Sequence, residues 1–117
     1  MEKKEFLKRT MNFGLRVIRL VQSLPRQQVA QVLGNQLLRA GTSVGANYRA
    51  AVRGKSRADF IAKMGIVEEE CDEALYWMEM LIESGLTKPD LLTDLRDEGS
   101  QILAIVVASI RTARRNK

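Results

Sequence analysis

The chain has 117 residues, of which 45% are hydrophobic, 28% are charged and 5% are aromatic. This length is typical of one domain, and the composition, with only two prolines, argues against both a disordered protein and a β-sandwich. A single cysteine, Cys71, excludes an internal disulfide, and the longest apolar run, Ile102 to Ala108, is far shorter than the roughly 20 residues that span a bilayer. We therefore expect one domain over residues 1–117 and no membrane partner. Since no secretory leader is recognisable, we expect the protein in the cytoplasm.

The net charge of +5 is distributed unevenly along the chain. Residues 1–57 carry twelve basic side chains against two acidic ones, whereas residues 58–98 carry twelve acidic side chains against three basic ones. Residues 99–117 add four basic side chains. Oppositely charged helices packed side by side would explain this pattern. It would equally fit a basic surface that attracts phosphate backbones and an acidic surface that faces a partner or a second subunit.

The first predicted helix runs from Glu2 to Leu24, because apolar residues recur at helical spacing until Pro25 interrupts the pattern. Its apolar stripe consists of Phe6, Phe13, Val17, Leu20 or Val21 and Leu24, widened by Leu7, Met11, Leu15 and Ile18. Basic residues are frequent on the rest of this helix, Arg16 and Arg19 among them.

The second predicted helix runs from about Gln27 to Ala51 and is rich in small residues at its middle. Its apolar stripe is Val29, Leu33, Leu37, Ala40, Val44, Tyr48 and Ala51. Gly41 and Gly45 lie in the interior of this predicted helix, although each interior glycine costs a helix about 1 kcal/mol relative to alanine. Either the small side chains let another helix approach closely, or the chain forms a kink or loop here. A P-loop is excluded, because the stretch lacks its lysine with serine or threonine and follows no strand.

The third predicted helix begins at Ser56, a residue type that caps helices, and ends near Gly85, which suits a left-handed stop. Its stripe is Phe60, Met64, Val67, Cys71, Ala74 or Leu75, Met78 and Leu81. The fourth begins near Pro89, since proline is tolerated in a first turn, and precedes a basic tail. Its stripe is Leu91 or Leu92, Leu95, Ile102, Ile105 or Val106 and Ile110. Short connections predict an all-α, up-down-up-down antiparallel four-helix bundle.

The residue types argue against catalysis. The chain has no histidine, which removes histidine acid-base chemistry, serine-histidine triads and the Glu-x-x-His ligands of di-iron bundles. Cys71 occupies a stripe position without an adjacent base, so we interpret it as a core residue rather than a nucleophile. The carboxylates of residues 68–73 could hold a hard cation, although a solvated or salt-bridged face is the simpler interpretation. We therefore expect no enzyme, no catalytic residue, no cofactor and no metal.

Two groups of side chains are candidates for binding partners. Of Tyr76 and Trp77, one must point away from the core, and aromatic residues beside acids often pack between subunits. The candidates for contact with nucleic acid are Arg39, Arg49, Arg53, Lys55, Arg57, Arg16 and Arg19. Arg49, Arg53 and Arg57 would line up on one face if the second helix continued. Such a row could be a solvated face, or it could follow a nucleic-acid backbone without reading its sequence.

Three motifs carry a resemblance to a known bacterial family. They are Leu38-Arg39-Ala40-Gly41-Thr42-Ser43-Val44-Gly45-Ala46-Asn47-Tyr48, Ser56-x-x-Asp59-Phe60-Ile61 and Glu70-x-x-Glu73-x-x-Tyr76-Trp77. The chain resembles the four-helix-bundle proteins encoded within intervening sequences of 23S ribosomal RNA genes, also called S23 ribosomal proteins. The resemblance implies a bundle that assembles into a ring, commonly a homopentamer, with no established catalytic activity. The family is also similar to accessory proteins of diversity-generating retroelements, which form basic pentamers that bind a reverse transcriptase and nucleic acid.

The motif match supplies the candidates for packing or oligomer contacts, which are Gly41, Thr42, Ser43, Gly45, Asn47, Tyr76 and Trp77. Many relatives carry an acidic residue shortly after the position of Asn47, whereas this chain has Arg49 there, which makes this face more basic. From charge and motif spacing, we expect Arg39 and Asn47 to pair with Glu70 and Glu73 across the second and third helices.

Together these patterns favour a non-enzymatic, ring-forming helical adaptor whose basic surface contacts RNA or another nucleic acid. A protein-binding scaffold, such as an accessory subunit of a reverse transcriptase, is one alternative. A bundle that binds a metal through its carboxylates is another.

Overall fold

The computed structural model describes residues 1–116, which form four long α-helices and no strand. The helices are α1 (Lys3–Gln22), α2 (Gln28–Val52), α3 (Arg57–Glu83) and α4 (Pro89–Arg115). Each helix packs against its neighbours in sequence, and α4 returns to α1, so that the molecule measures 50 × 20 × 20 Å. The predicted all-α four-helix bundle is confirmed. None of these helices combines the length and the apolar character needed to cross a membrane.

Local signals end the helices close to the predicted boundaries. The Ser56 hydroxyl accepts a hydrogen bond from the backbone N–H of Asp59 at 3.1 Å and so caps α3. Gly85 adopts a φ of 76°, which lets the chain turn sharply after α3. Pro89 begins α4. These short turns force consecutive helices to run antiparallel.

One hydrophobic core runs along the bundle, and its largest fully buried side chains are Phe13, Leu37, Met64, Met78, Leu81, Leu92 and Ile102. Where the periodicity left two choices, the more deeply buried residues are Leu20, Ala74, Leu92 and Val106. Cys71 is also fully buried, and its thiol donates to the backbone oxygen of Gly99 at 3.3 Å. Burial raises the pKa of Cys71 to about 12, which keeps the thiol protonated. Its interpretation as a core residue is confirmed.

Three residues assigned to the apolar stripes without an alternative are exposed. Val29 is 54% exposed because Ala30, which is in register with Leu37, occupies the core position at the start of α2. Met11 and Leu15 are 57% and 40% exposed. The apolar stripe of α1 is wider than the surface that α2 and α4 cover, so its edge remains on the outside of the bundle.

The small residues of α2 pack against α1. The helix runs unbroken through Gly41 and Gly45, so the alternative of a kink or loop is wrong. A Cβ on Gly41 would lie 2.7 Å from Val17 Cγ2, and a Cβ on Gly45 would lie 3.3 Å from the backbone of Thr10. These two glycines therefore let the backbones of α1 and α2 approach each other closely.

Alanine substitutions at two glycines distinguish packing from helix propensity. Gly41→Ala should lower the free energy of unfolding by about 1–3 kcal/mol, because the new methyl group overlaps Val17. Gly65→Ala is the matched control in α3: its Cβ would meet no atom within 4 Å, so it should stabilise the fold by up to about 1 kcal/mol. Equilibrium urea unfolding measures both, and equal stabilisation by the two substitutions would contradict close packing at Gly41.

Candidate nucleic-acid interface

Segments that are far apart in the sequence meet at one end of the bundle. Because neighbouring helices are antiparallel, α1 and α3 begin where α2 and α4 end, and residues from all four helices line one cleft there. The basic side chains of this region are Lys3, Lys4, Lys8, Arg49, Arg53, Lys55, Arg57, Arg111, Arg114 and Arg115. Residues 1–8, 48–60 and 108–116 thus contain ten basic residues and three acidic ones, Glu2, Glu5 and Asp59. We call this region the basic end.

The opposite end of the bundle has a mixed charge. Residues 19–31 and 79–94 contain the turns there, with three basic side chains and four acidic ones. The electrostatic potential therefore changes along the long axis of the molecule, and it is most positive at the basic end. A polyanion is attracted preferentially to that end.

Four of the basic candidates lie at the basic end, in and around the turn between α2 and α3. Because α2 ends at Val52, Arg57 belongs to the next helix, and the single helical row with Arg49 and Arg53 does not form. The turn nevertheless keeps all three at the same end, together with Lys55. Their side chains are exposed and make no ion pair within residues 1–116.

The remaining basic candidates lie elsewhere. Arg16 and Arg19 lie farther along α1, toward the other end, beside a shallow depression that also includes Lys8. Arg9, which sequence analysis did not single out, makes a two-pronged ion pair with Glu98 at 2.7 and 2.8 Å and joins α1 to α4. The sequence periodicity also gave no indication that Lys3 and the arginines of α4 lie beside the α2–α3 turn, since this depends on the connections between helices.

Arg39 lies at the middle of the bundle and bridges α2 to α3. Its Nη1 donates to Glu70 Oε2 at 2.9 Å, and its Nη2 donates to Glu73 Oε1 at 2.6 Å. The expected pairing of Arg39 is therefore confirmed. Asn47 instead donates to the backbone oxygen of Ser43 within α2, at 2.9 Å, so its expected pairing across the helices is wrong.

Of the two adjacent aromatic residues of α3, one points away from the core, as the sequence predicted. Tyr76 is 52% exposed, whereas Trp77 packs against the core and donates from Nε1 to Glu73 Oε1 at 3.3 Å. The Arg39 guanidinium, followed by the Trp77 indole, lowers the pKa of Glu73. The motif residues of α3 thus hold α2 in register and leave one aromatic ring on the surface.

The small-residue candidates have partners within the chain. The hydroxyls of Thr42 and Ser43 donate to the backbone oxygens of Leu38 and Arg39, at 2.7 and 2.6 Å. Gly41 and Gly45 pack against α1, whereas Thr42 and Ala46 are exposed. Contacts within one bundle therefore account for the two glycines, and the exposed small residues remain candidates for contacts between subunits.

The structure does not support the carboxylate metal site. Within residues 1–116, no three cysteine or acidic side chains converge closely enough to hold a metal ion. Glu70 and Glu73, from the densest acidic segment, bind Arg39 instead. A salt-bridged face accounts for this part of α3.

An apolar groove lies between α1 and α2 on the outer surface. Met11, Leu15 and Ile18 form one wall, and the small residues Gly45 and Ala46 lie opposite, around a volume of about 310 Å³. We call it the α1/α2 groove. The widened stripe of α1 was its signal in the sequence, although that stripe was interpreted as core.

The Arg39 bridge should make stability depend on pH in a defined direction. Because the folded-state pKa of Glu73 is lowered, the contribution of the bridge is fully present above the unfolded pKa of a glutamate, near 4.5. It is lost as the pH falls through the lower folded pKa. Arg39→Gln should therefore destabilise the protein at pH 7 and have little effect in acid.

Titration of the Glu73 carboxyl by carbon NMR measures the same effect directly. Arg39→Gln should raise its pKa, whereas Lys63→Gln, which removes a separate ion pair with Asp59, should not. An unchanged Glu73 pKa in Arg39→Gln would contradict the bridge.

Comparison with known proteins agrees with the fold and motifs. Residues 2–108 match the family described as 23S rRNA-intervening sequence protein. A solved structure from Bacteroides thetaiotaomicron, described as a protein with unknown function from the S23 ribosomal protein family, superimposes with a TM-score of 0.88 at 32% sequence identity. The match covers 95% of this chain and 99% of that chain. No curated protein matches. The chain belongs to the 23S rRNA-intervening sequence protein family.

Proposed function

We propose that this protein is a non-enzymatic helical adaptor that binds RNA in the cytoplasm through the basic end of its bundle. The convergence of ten basic side chains on that end carries the proposal. Lysine and arginine bind phosphates and release counterions from the nucleic acid, which supplies affinity without reading sequence. We propose RNA as the nucleic acid because the family name refers to 23S ribosomal RNA.

Several features favour an adaptor over an enzyme. The chain has no histidine, and the thiol of Cys71 is buried and protonated. Most exposed charged groups of the basic end are lysines and arginines, which suit contact with phosphates. In this proposal the bundle supplies a rigid surface, and no chemical step takes place on it.

Salt-dependent binding to unrelated single-stranded RNAs tests the function. Arg53→Gln with Arg57→Gln should weaken binding and make the slope of log affinity against log salt shallower by roughly 0.7 for each lost phosphate contact. The matched control, Arg26→Gln with Lys88→Gln, removes the same charge from the opposite end, and its slope should remain at the wild-type value. Fluorescence anisotropy over a salt series measures both.

Two outcomes would count against this assignment. Absence of RNA binding at low salt would overturn the proposed function. Equal loss in the two double variants would show that total charge rather than the basic end determines affinity. Arg16→Gln with Arg19→Gln extends the comparison to the candidates on α1.

We also propose that the protein forms a ring through the α1/α2 groove. Its apolar wall, with Met11 and Leu15, would bind the outer face of α3 on a second copy, where Ile66, Tyr76 and Met80 are exposed. Acidic side chains accompany that face, whereas the groove ends at Arg49, so the charges are complementary. Since the two surfaces differ, repeating the contact by rotation can close a ring.

Native mass spectrometry tests the ring. Leu15→Glu places a charge in the groove, opposite an acidic face, and should shift the wild-type oligomer toward single chains. Leu91→Glu is the control, because Leu91 is 61% exposed at the start of α4 and does not line the groove. A wild-type monomer at micromolar concentration would contradict the ring. The groove would then be the candidate site for another protein, as in the scaffold alternative.

A further inference from the structure

We propose that a cleft at the basic end binds one unpaired nucleotide of the RNA, with its base inside the cleft and its phosphate beside Lys55 and Arg57. The inference rests on the proposed RNA-binding function and assigns it a specific contact. The cleft has a volume of about 750 Å³, within the range of sites for small organic ligands. It lies between the α2–α3 turn, the start of α1 and the end of α4.

Part of the cleft wall is apolar and suits a flat ring. Val52 and Phe60 line one side, and Ile105 of α4 lines another. The adjacent positions of α4 that reach the cleft include Ala108 and Ala113, whose small side chains keep it open. An aromatic base would cover these surfaces, and stacking on a residue such as Phe60 tolerates any of the four bases.

The hydroxyl of Tyr48 supplies a polar group inside this cleft. The side chain is 5% exposed, and its ring packs edge-on against Phe6, with centroids 4.7 Å apart. The hydroxyl makes no hydrogen bond within residues 1–116. Every side-chain N or O atom of these residues that solvent cannot reach has a partner, so solvent reaches this hydroxyl. Tyr48 lines the cleft, so its hydroxyl remains available to a ligand. Burial raises the pKa of Tyr48, so the group keeps its proton at neutral pH and can donate to a base edge.

The charges around the cleft favour a phosphate. Lys3, Lys55 and Arg57 line it, and the positive end of the α3 dipole lies at the same place. Two acids lie near these cations. Glu2, next to Lys3 in the sequence, is exposed, and Asp59 accepts hydrogen bonds at Oδ2 from Lys63 Nζ at 2.9 Å and from the backbone N–H of Lys55 at 3.2 Å. The negative charge of Asp59 is thus compensated, and its bond to Lys55 helps to hold the turn in place.

An apolar wall, an unpartnered hydroxyl and three cations together fit a nucleotide better than a simpler ligand. An inorganic anion would leave the apolar wall uncovered, and an acyl chain would leave the Tyr48 hydroxyl without a partner. The nucleotide must be unpaired, because bases within a duplex are stacked and paired and cannot enter a cleft. The basic side chains around the cleft would then hold the phosphates on either side.

Base insertion can be separated from backbone binding with one labelled RNA. The probe is a single-stranded oligouridylate that carries one 2-aminopurine, whose fluorescence reports the surroundings of that base, while anisotropy of a terminal dye reports total binding. Wild-type protein should change both signals. Tyr48→Phe removes one hydroxyl that has no partner within residues 1–116, and it should weaken binding about three- to tenfold, as expected for one hydrogen bond. Ser100→Ala removes an exposed hydroxyl of α4 that lines neither the cleft nor the α1/α2 groove, and it should have no effect.

A second pair of variants fills the cleft without changing charge. Ala108→Trp puts a large ring into the cleft and should abolish the 2-aminopurine response, while the salt dependence of total binding remains. Ala104→Trp is its control, one turn earlier on α4, exposed and outside the cleft. Thermal unfolding of all four variants confirms that the comparisons use folded protein.

Failure of the cleft and failure of RNA binding give different results. If wild-type protein binds the RNA but the 2-aminopurine signal is unchanged, or if the tyrosine and alanine variants match their controls, the cleft is overturned and the proposed function stands. If no RNA binds at low salt, the proposed function fails. Titration with adenosine 5′-monophosphate then tests whether the cleft binds a nucleotide. NMR shifts at Tyr48 and Phe60 would support a nucleotide site, and their absence would overturn it.

Discussion

The close approach of α1 and α2 is the constraint on which the rest of this structure depends. At Gly41 and Gly45, the surface of α2 has no side chain, so Val17 and the backbone of Thr10 occupy the space instead. Such tight contact fixes the rotation of α1 about its own axis. As a result, Phe13 enters the core while Met11 and Leu15 remain on the outside. The α1/α2 groove is therefore a consequence of how the two helices pack.

Antiparallel connections determine where the charges meet. The middle of the bundle uses its charged groups for structure, with Arg39 between two carboxylates and Arg9 paired with Glu98. At the basic end, by contrast, the exposed cations around the α2–α3 turn have no acidic partners within residues 1–116. The same turn brings Tyr48 and Phe60 to one cleft, so the apolar and the charged parts of the candidate site depend on a single connection.

Much of the fold could be predicted from the sequence because helix periodicity, caps and turns are local signals. Ser56 and Gly85 marked real helix ends, and the spacing of Arg39 from Glu70 and Glu73 predicted a real bridge. The sequence did not show which edge of an apolar stripe would be covered, as at Leu15, since that depends on the angle of the neighbouring helix. Nor did it show that Lys3 and Arg57 line the same cleft, because helical periodicity says nothing about contacts between distant segments.

The uneven charge along the 50 Å axis gives the molecule a large electric dipole moment. In the field of a polyanion, a dipole experiences a torque as well as an attraction, so the molecule rotates before it makes contact. The basic end then faces the polyanion in a greater share of collisions than random orientation would allow. Charges that never touch a ligand thereby increase the rate of association, since they act on the encounter rather than on the bound complex.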